Sequence, residues 1–156
     1  MRRFWVAFVG SVILAIAGKI LADVLLVTDI PLITTAISLR PVQNPGVAFG
    51  VQLPTGMQGL LIITALACVG VAAWRSARHM TAGAVGFGLI MGGAIVNLLD
   101  RIGDGLVTDY FRVGAFPVFN IADSCITIGV LLLLREWRRP VPPAGQAGLA
   151  HTVTPR

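Results

Sequence analysis

Charge is what this sequence is short of. Only 12% of its 156 residues are Asp, Glu, Lys or Arg, about half the share in an average soluble domain, and mean hydropathy is +0.85. A disordered chain and a water-soluble domain are both excluded by that balance. Cysteine is scarcer still. Cys68 and Cys125 both fall inside apolar runs, so there is no disulfide framework, and both read as small buried hydrophobes. Neither has a second Cys or a His at ligand spacing, so no metal site and no cofactor are expected. There is no internal repeat, which leaves an inverted-repeat transporter without support. The net charge of +5 would suggest nucleic acid in a soluble protein. Here its placement matters more than its size, and no nucleic-acid partner is expected.

What is present in quantity is apolar sequence, in four runs: Phe4–Ile20, Met57–Trp74, Thr81–Leu99 and Val118–Leu134. At ~1.5 Å per residue each covers most of a hydrocarbon core about 30 Å thick. Backbone groups find no water there, so the runs predict helices. Arg2, Arg3, Arg75, Arg78, Arg135, Arg138 and Arg139 share one side if the chain weaves through four times, and the positive-inside rule makes that side cytoplasmic. The expected fold is therefore a membrane all-α bundle of four transmembrane helices, with both termini cytoplasmic and a small β-rich outer domain. The run Ala15-Ile16-Ala17 is read as part of the first span rather than a signal-peptide cleavage site. Residues 1–139 form the four-span unit. Residues 140–156, with several prolines and no periodicity, read as a disordered cytoplasmic tail.

The outer loops hold the polar detail. Residues 21–56 are too long for a simple helix connection. Their β-branched stretches Val24–Thr28 and Ile33–Ser38, broken by Pro31, Pro41, Pro45 and Pro54, predict short surface strands. Asn44-Pro45-Gly46 reads as a tight turn, in which Asn44 offers its amide and Gly46 allows close backbone approach. In the second outer segment, Gly92-Gly93-Ala94 permits close helix packing. Asn97 and Arg101 share a helix face, and Asp100 beside Arg101 reads either as its structural ion-pair partner or as part of a site. At the fourth span, Asn120 and Asp123 read either as helix caps or as functional polar groups within a membrane.

All six aspartates, Asp23, Asp29, Asp100, Asp104, Asp109 and Asp123, lie at or beyond the outer span ends. His79 belongs to the cytoplasmic side and His151 to the tail, so a Ser–His or Cys–His centre has no base on the outer face. A carboxylate pair remains: one member ionised to take a proton from water, the other protonated to polarise a carbonyl. Residue chemistry leaves open which two of Asp100, Asp109 and Asp123 form it.

The ordered segments Asn44-Pro-Gly-Val-Ala-Phe-Gly, Gly92-Gly-Ala-Ile-Val-Asn97-Leu-Leu-Asp100-Arg101, Val107-Thr-Asp109-Tyr and Phe119-Asn120-Ile-Ala-Asp123-Ser closely resemble the bacterial lipoprotein signal peptidases (signal peptidase II). The likeness spans about residues 10–135. It implies a multi-pass aspartic endopeptidase of the bacterial inner (cytoplasmic) membrane, with its site at the outer face. Such an enzyme cleaves diacylglyceryl-modified prolipoproteins just before the lipidated cysteine. It implies Asp109 and Asp123 as the catalytic pair, and Asn97 and Arg101 as the holders of substrate backbone and site geometry. Asp100 supports them, and Asn44, Gly46, Asn120 and Lys19 complete the site. Prolipoproteins, membrane lipid and globomycin-type cyclic peptide inhibitors are the implied partners, and a monomer is expected. Two departures stand out: Ala15 where the family has Asp, and Val96 where it has Gly. Lys19 then needs a new partner, which Asp23 at i+4 supplies if the helix continues, and Val96 is expected to loosen packing near the site. Two alternatives use the same residues: a catalytically silent homologue that binds lipoprotein precursors, and an unrelated ion or proton path.

Overall fold

The computed structural model describes residues 1–34, 36–46, 54–76 and 81–138. The expected tail, Arg78, Arg139, both histidines and the Val47–Gly50 part of the first motif lie outside them. Four helices and three strands run in the order α1 (Arg2–Leu25), β1 (Ile30–Thr34), β2 (Ile37–Asn44), α2 (Thr55–Ser76), α3 (Thr81–Asp104), β3 (Val107–Val113) and α4 (Ile121–Trp137).

Among the described residues, three helical segments, Arg2–Leu25, Met57–Arg75 and Gly83–Asp104, are long and apolar enough to cross a membrane. Their outward faces carry Val6, Ile13, Leu14, Leu60, Leu61 and Ile63, all exposed, a surface that water would not tolerate. Cys68 is exposed on α2, not buried as its apolar context predicted, because its helix turns that face away from the bundle; Cys125 is buried. The fourth apolar run becomes a helix only from Ile121, giving 17 residues. Val118–Asn120 are held outside it, because Phe119 bridges to Phe111 of β3 and Asn120 caps the helix.

The first helix runs past Ile20 to Leu25 and so absorbs the start of the expected strand Val24–Thr28. The strands fall instead at 30–34 and 37–44. They join β3 in an antiparallel sheet of order β1-β2-β3. Pro31 sits on edge strand β1, and the β2–β3 register shifts between Leu39 and Val42, around Pro41. Proline cannot donate to a ladder, so an edge and a bulge are the places that accept it.

Helix α3 is the hub, packed against α1, α2 and α4. Gly92 and Gly93 point to two different neighbours. A Cβ on Gly92 would strike Ser11 of α1, and one on Gly93 the carbonyl of Ala122 in α4. Beside this contact Ala15, Val96 and Ala122 form one buried apolar cluster. The two departures therefore meet each other, and Val96 fills space beside Ala15 rather than loosening the packing.

Candidate active site

Strand β3 is buried on both faces over its first four residues, and its period of two sorts their jobs. Val107 and Asp109 face a cavity. Thr108 and Tyr110 face α1, where Thr108 Oγ1 accepts from Lys19 Nζ at 3.1 Å and the Tyr110 hydroxyl fills the notch left by Gly18. Lys19 also pairs with Asp23 at 2.9 Å and Asp100 at 2.7 Å. The continued helix thus supplies the partner expected at Asp23. Asp100 binds Lys19 and the Thr108 amide, at 2.9 Å, and this replaces its expected pairing with Arg101.

Asp109 is 1% exposed. Its Oδ2 accepts from Asn44 Nδ2 at 2.8 Å and its Oδ1 from Asn120 Nδ2 at 2.9 Å. Asp123 stands in the first turn of α4, where the macrodipole favours negative charge. Its Oδ1 accepts from Asn97 Nδ2 at 2.7 Å and its Oδ2 from the Asn120 backbone amide at 3.1 Å. Asn120 Oδ1 accepts in return from the Asp123 amide at 2.9 Å, closing a capping box. Capping and site roles therefore coexist. Asn120 touches both carboxylates, one through its side chain and one through its backbone. Asn97 Oδ1 accepts from Asn120 Nδ2 at 3.1 Å, which orients both amides.

Burial is the main cause that pushes the Asp109 carboxyl up to about 6. The Asn44 hydrogen bond opposes that shift, the neighbouring Asp123 charge adds to it, and Asn120 and Arg101 oppose it further. Arg101 spends its two terminal nitrogens on backbone: Nη1 on the Asn97 carbonyl at 3.0 Å and Nη2 on the Gly46 carbonyl. Gly46 N donates to Asn44 Oδ1 at 2.8 Å, so the expected tight turn is an Asx turn.

The cavity measures about 610 Å³. Asn44, Asn97, Arg101, Asp109 and Asp123 line its polar end, while Phe116, Pro117, Val118, Ile126 and Ile128 give it an apolar wall. Rings of Phe111 and Phe116 lie 5.6 and 5.8 Å from Phe119 and hold the wall's loop.

All the residues predicted from sequence come together here, in two adjoining groups: Asn44, Gly46, Asn97, Arg101, Asn120 and the two acids, with Lys19 and Asp100 behind β3. Three residues were missed. Thr108 and Tyr110 needed the strand's second face to be seen as buried. Gln58, 6% exposed, donates to the Pro45 carbonyl at 2.9 Å. It was legible as a lone amide at the start of an apolar span, where polar groups are costly.

Over most of its length the chain is similar to known proteins. The family model of signal peptidase (SPase) II matches residues 7–138. The lipoprotein signal peptidase of Syntrophomonas wolfei is 42% identical over 137 residues, covering 85% of this chain and 90% of that protein. The lipoprotein signal peptidase of Rhodococcus jostii is 38% identical over 147 residues, covering 85% and 72%. A bacterial membrane enzyme solved in meso at 2.3 Å superposes with a TM-score of 0.76 at 26% identity, covering 87% of this chain and 92% of that one.

Proposed function

The chain belongs to the signal peptidase II family, and from that premise we propose that it is an aspartic endopeptidase. Asp109 and Asp123 are its catalytic pair. It removes signal peptides from diacylglyceryl-modified prolipoproteins by cutting before the lipidated cysteine. The observation that carries this reading is Asn120, which bridges two carboxylates from separate elements at the polar end of a cavity with one apolar wall.

The burial that raises Asp109 makes it the member that keeps the proton, and Asp123 is then the acceptor. Asp123 takes a proton from water as the water oxygen attacks the scissile carbonyl, and Asp109 gives its proton to the carbonyl oxygen. Collapse of the tetrahedral intermediate returns a proton to the leaving nitrogen. This yields a signal-peptide carboxylate and a free amino terminus on the lipidated cysteine. Asn44, Asn97 and Asn120 hold the acids in place, and Arg101 holds the turn that carries Asn44. The acyl chains stay in lipid along the apolar wall.

In this reading α4 is a fourth span, both termini are cytoplasmic, and the site lies at the outer face of the bacterial inner membrane. The protein works as a monomer, since every proposed site residue comes from one chain. Globomycin-type cyclic peptides compete for the cavity.

The test is cleavage of a diacylglyceryl prolipoprotein by purified protein in detergent, beside Asp109→Asn and Asp123→Asn. Wild type cuts, and each variant loses at least about a thousandfold in rate while staying folded. A folded wild type that binds the cyclic peptide yet cuts nothing would be a silent homologue.

A further inference from the structure

The turn after β2 is held in an unusual way: three successive residues are gripped by three different elements. Asn44 donates through its side chain to Asp109 of β3. The Pro45 carbonyl accepts from Gln58 of α2. The Gly46 carbonyl accepts from Arg101 of α3. The last β2–β3 ladder pair is Asn44 with Val107, so the sheet gives no support to Pro45 or Gly46.

This matters because Asn44 has no freedom of its own. Its Oδ1 accepts from the Gly46 amide at 2.8 Å, so the turn decides which way Nδ2 points, and Nδ2 points at Asp109. Any slack in the turn is passed to that hydrogen bond. Gln58 supplies the grip from the α2 side and is itself buried. The backbone amide of Gln58 bonds the Pro54 carbonyl at 3.1 Å, within the first turn of α2, which ties the side chain to a rigid element.

We propose that Gln58 is a positioning residue for the peptidase reaction: by holding the Pro45 carbonyl it fixes the Asx turn and so delivers the Asn44 amide to Asp109. This rests on the peptidase reading for its rate effect but not for its geometry. The influence of Gln58 on Asp109 is routed through the Pro45 carbonyl and Asn44.

That routing makes a double-mutant cycle decisive. Full-length protein in detergent is assayed on a diacylglyceryl prolipoprotein as wild type, Gln58→Leu, Asn44→Ala and the double variant. Gln58→Leu should lower kcat by about three- to tenfold, the scale of one net hydrogen bond, with KM within about twofold. In the Asn44→Ala background the same change should cost less than about 1.5-fold. Equal losses in both backgrounds, or no loss in Gln58→Leu, overturn the proposal. Gln58→Met, which keeps the length and removes the donor without adding charge, serves the same cycle if the leucine variant does not fold.

A titration independent of activity separates the two readings. Asp109 is faced by Asp123 of α4 and Arg101 of α3, with Asn44 and Asn120 as donors. Its carboxyl 13C signal should titrate at higher pH in Gln58→Leu, in the direction Asn44→Ala moves it. An Asp109 titration unmoved in folded Gln58→Leu sinks the positioning role even if wild type cuts substrate. A titration that moves in Gln58→Leu while wild type cuts nothing keeps the positioning role and discards the peptidase.

Discussion

Asp109 is where burial and chemistry conflict most. A carboxyl ordinarily titrating near 4 is held at about 6, because its strand closes both faces around it. For an acid whose folded value is raised, the folded state binds the extra proton. Stability from this group is therefore full below about pH 4 and is lost as pH rises through about 6. The difference is of order 2–3 kcal/mol. Thermal midpoints in detergent should accordingly rise on acidification from pH 7 to 4.5 in wild type, relative to Asp109→Asn. Cleavage should fall as the pH passes about 6, where Asp109 loses its proton. Parallel pH profiles for wild type and Asp109→Asn would show that Asp109 keeps no such proton.

Among elements, the contact of α3 with α4 carries the site. Gly93 lies one turn before Asn97, and Ala122 stands next to Asp123, so the helix separation at Gly93 sets the reach of Asn97 to Asp123 Oδ1. A side chain on Gly93 meets the Ala122 carbonyl and Ile126. Gly93→Leu should therefore destabilise the protein by several kcal/mol, as overpacking with backbone shifts does, and remove cleavage. Gly103, also on α3, has open space at its Cβ position. Gly103→Ala should be neutral or stabilise by about 1 kcal/mol through helix propensity. Detergent thermal unfolding of both variants checks the pair, and equal loss in both would mean that α3 tolerates no substitution, packed or not. The elements were readable from sequence in unequal degree. The three long helices follow from apolar runs, whereas Val107–Tyr110 reads in the sequence as a motif and not as a strand. Its residues are buried on both faces and show no polar alternation.

At the scale of the whole molecule, the site ends of the helices are the C-termini of α1 and α3 and the N-termini of α2 and α4. Trp5, Trp74 and Trp137 lie at the opposite ends, with exposures of 55, 79 and 84%. Arg2, Arg3, Arg75, Arg135 and Arg138 are beside them. Amphipathic rings beside arginines are what a membrane interface selects. With the basic end cytoplasmic, a membrane-impermeant maleimide added to intact spheroplasts should label Ala115→Cys, on the exposed loop before α4. It should not label Arg2→Cys, both in a background lacking Cys68 and Cys125. The reverse labelling would invert the topology.

Composition and pattern alone determined the solvent of this protein, its long helices and the sidedness of its charges, because hydropathy over a span and the count of arginines at its ends are local quantities. The ordered motifs likewise named the two acids and their amide neighbours. Only the tertiary structure decided the partnerships. Asp100 lies next to Arg101 in the chain, yet it binds Lys19 of α1, since successive helix positions point about 100° apart. Arg101 turns instead to the Gly46 carbonyl, 55 residues away, and Gln58 enters the site's support through Pro45. Ala15 and Val96, separate departures in the sequence, are one packed contact in space. Side-chain direction across an interface depends on how helices cross and where a strand docks, and no window of the sequence contains both sides of such a contact.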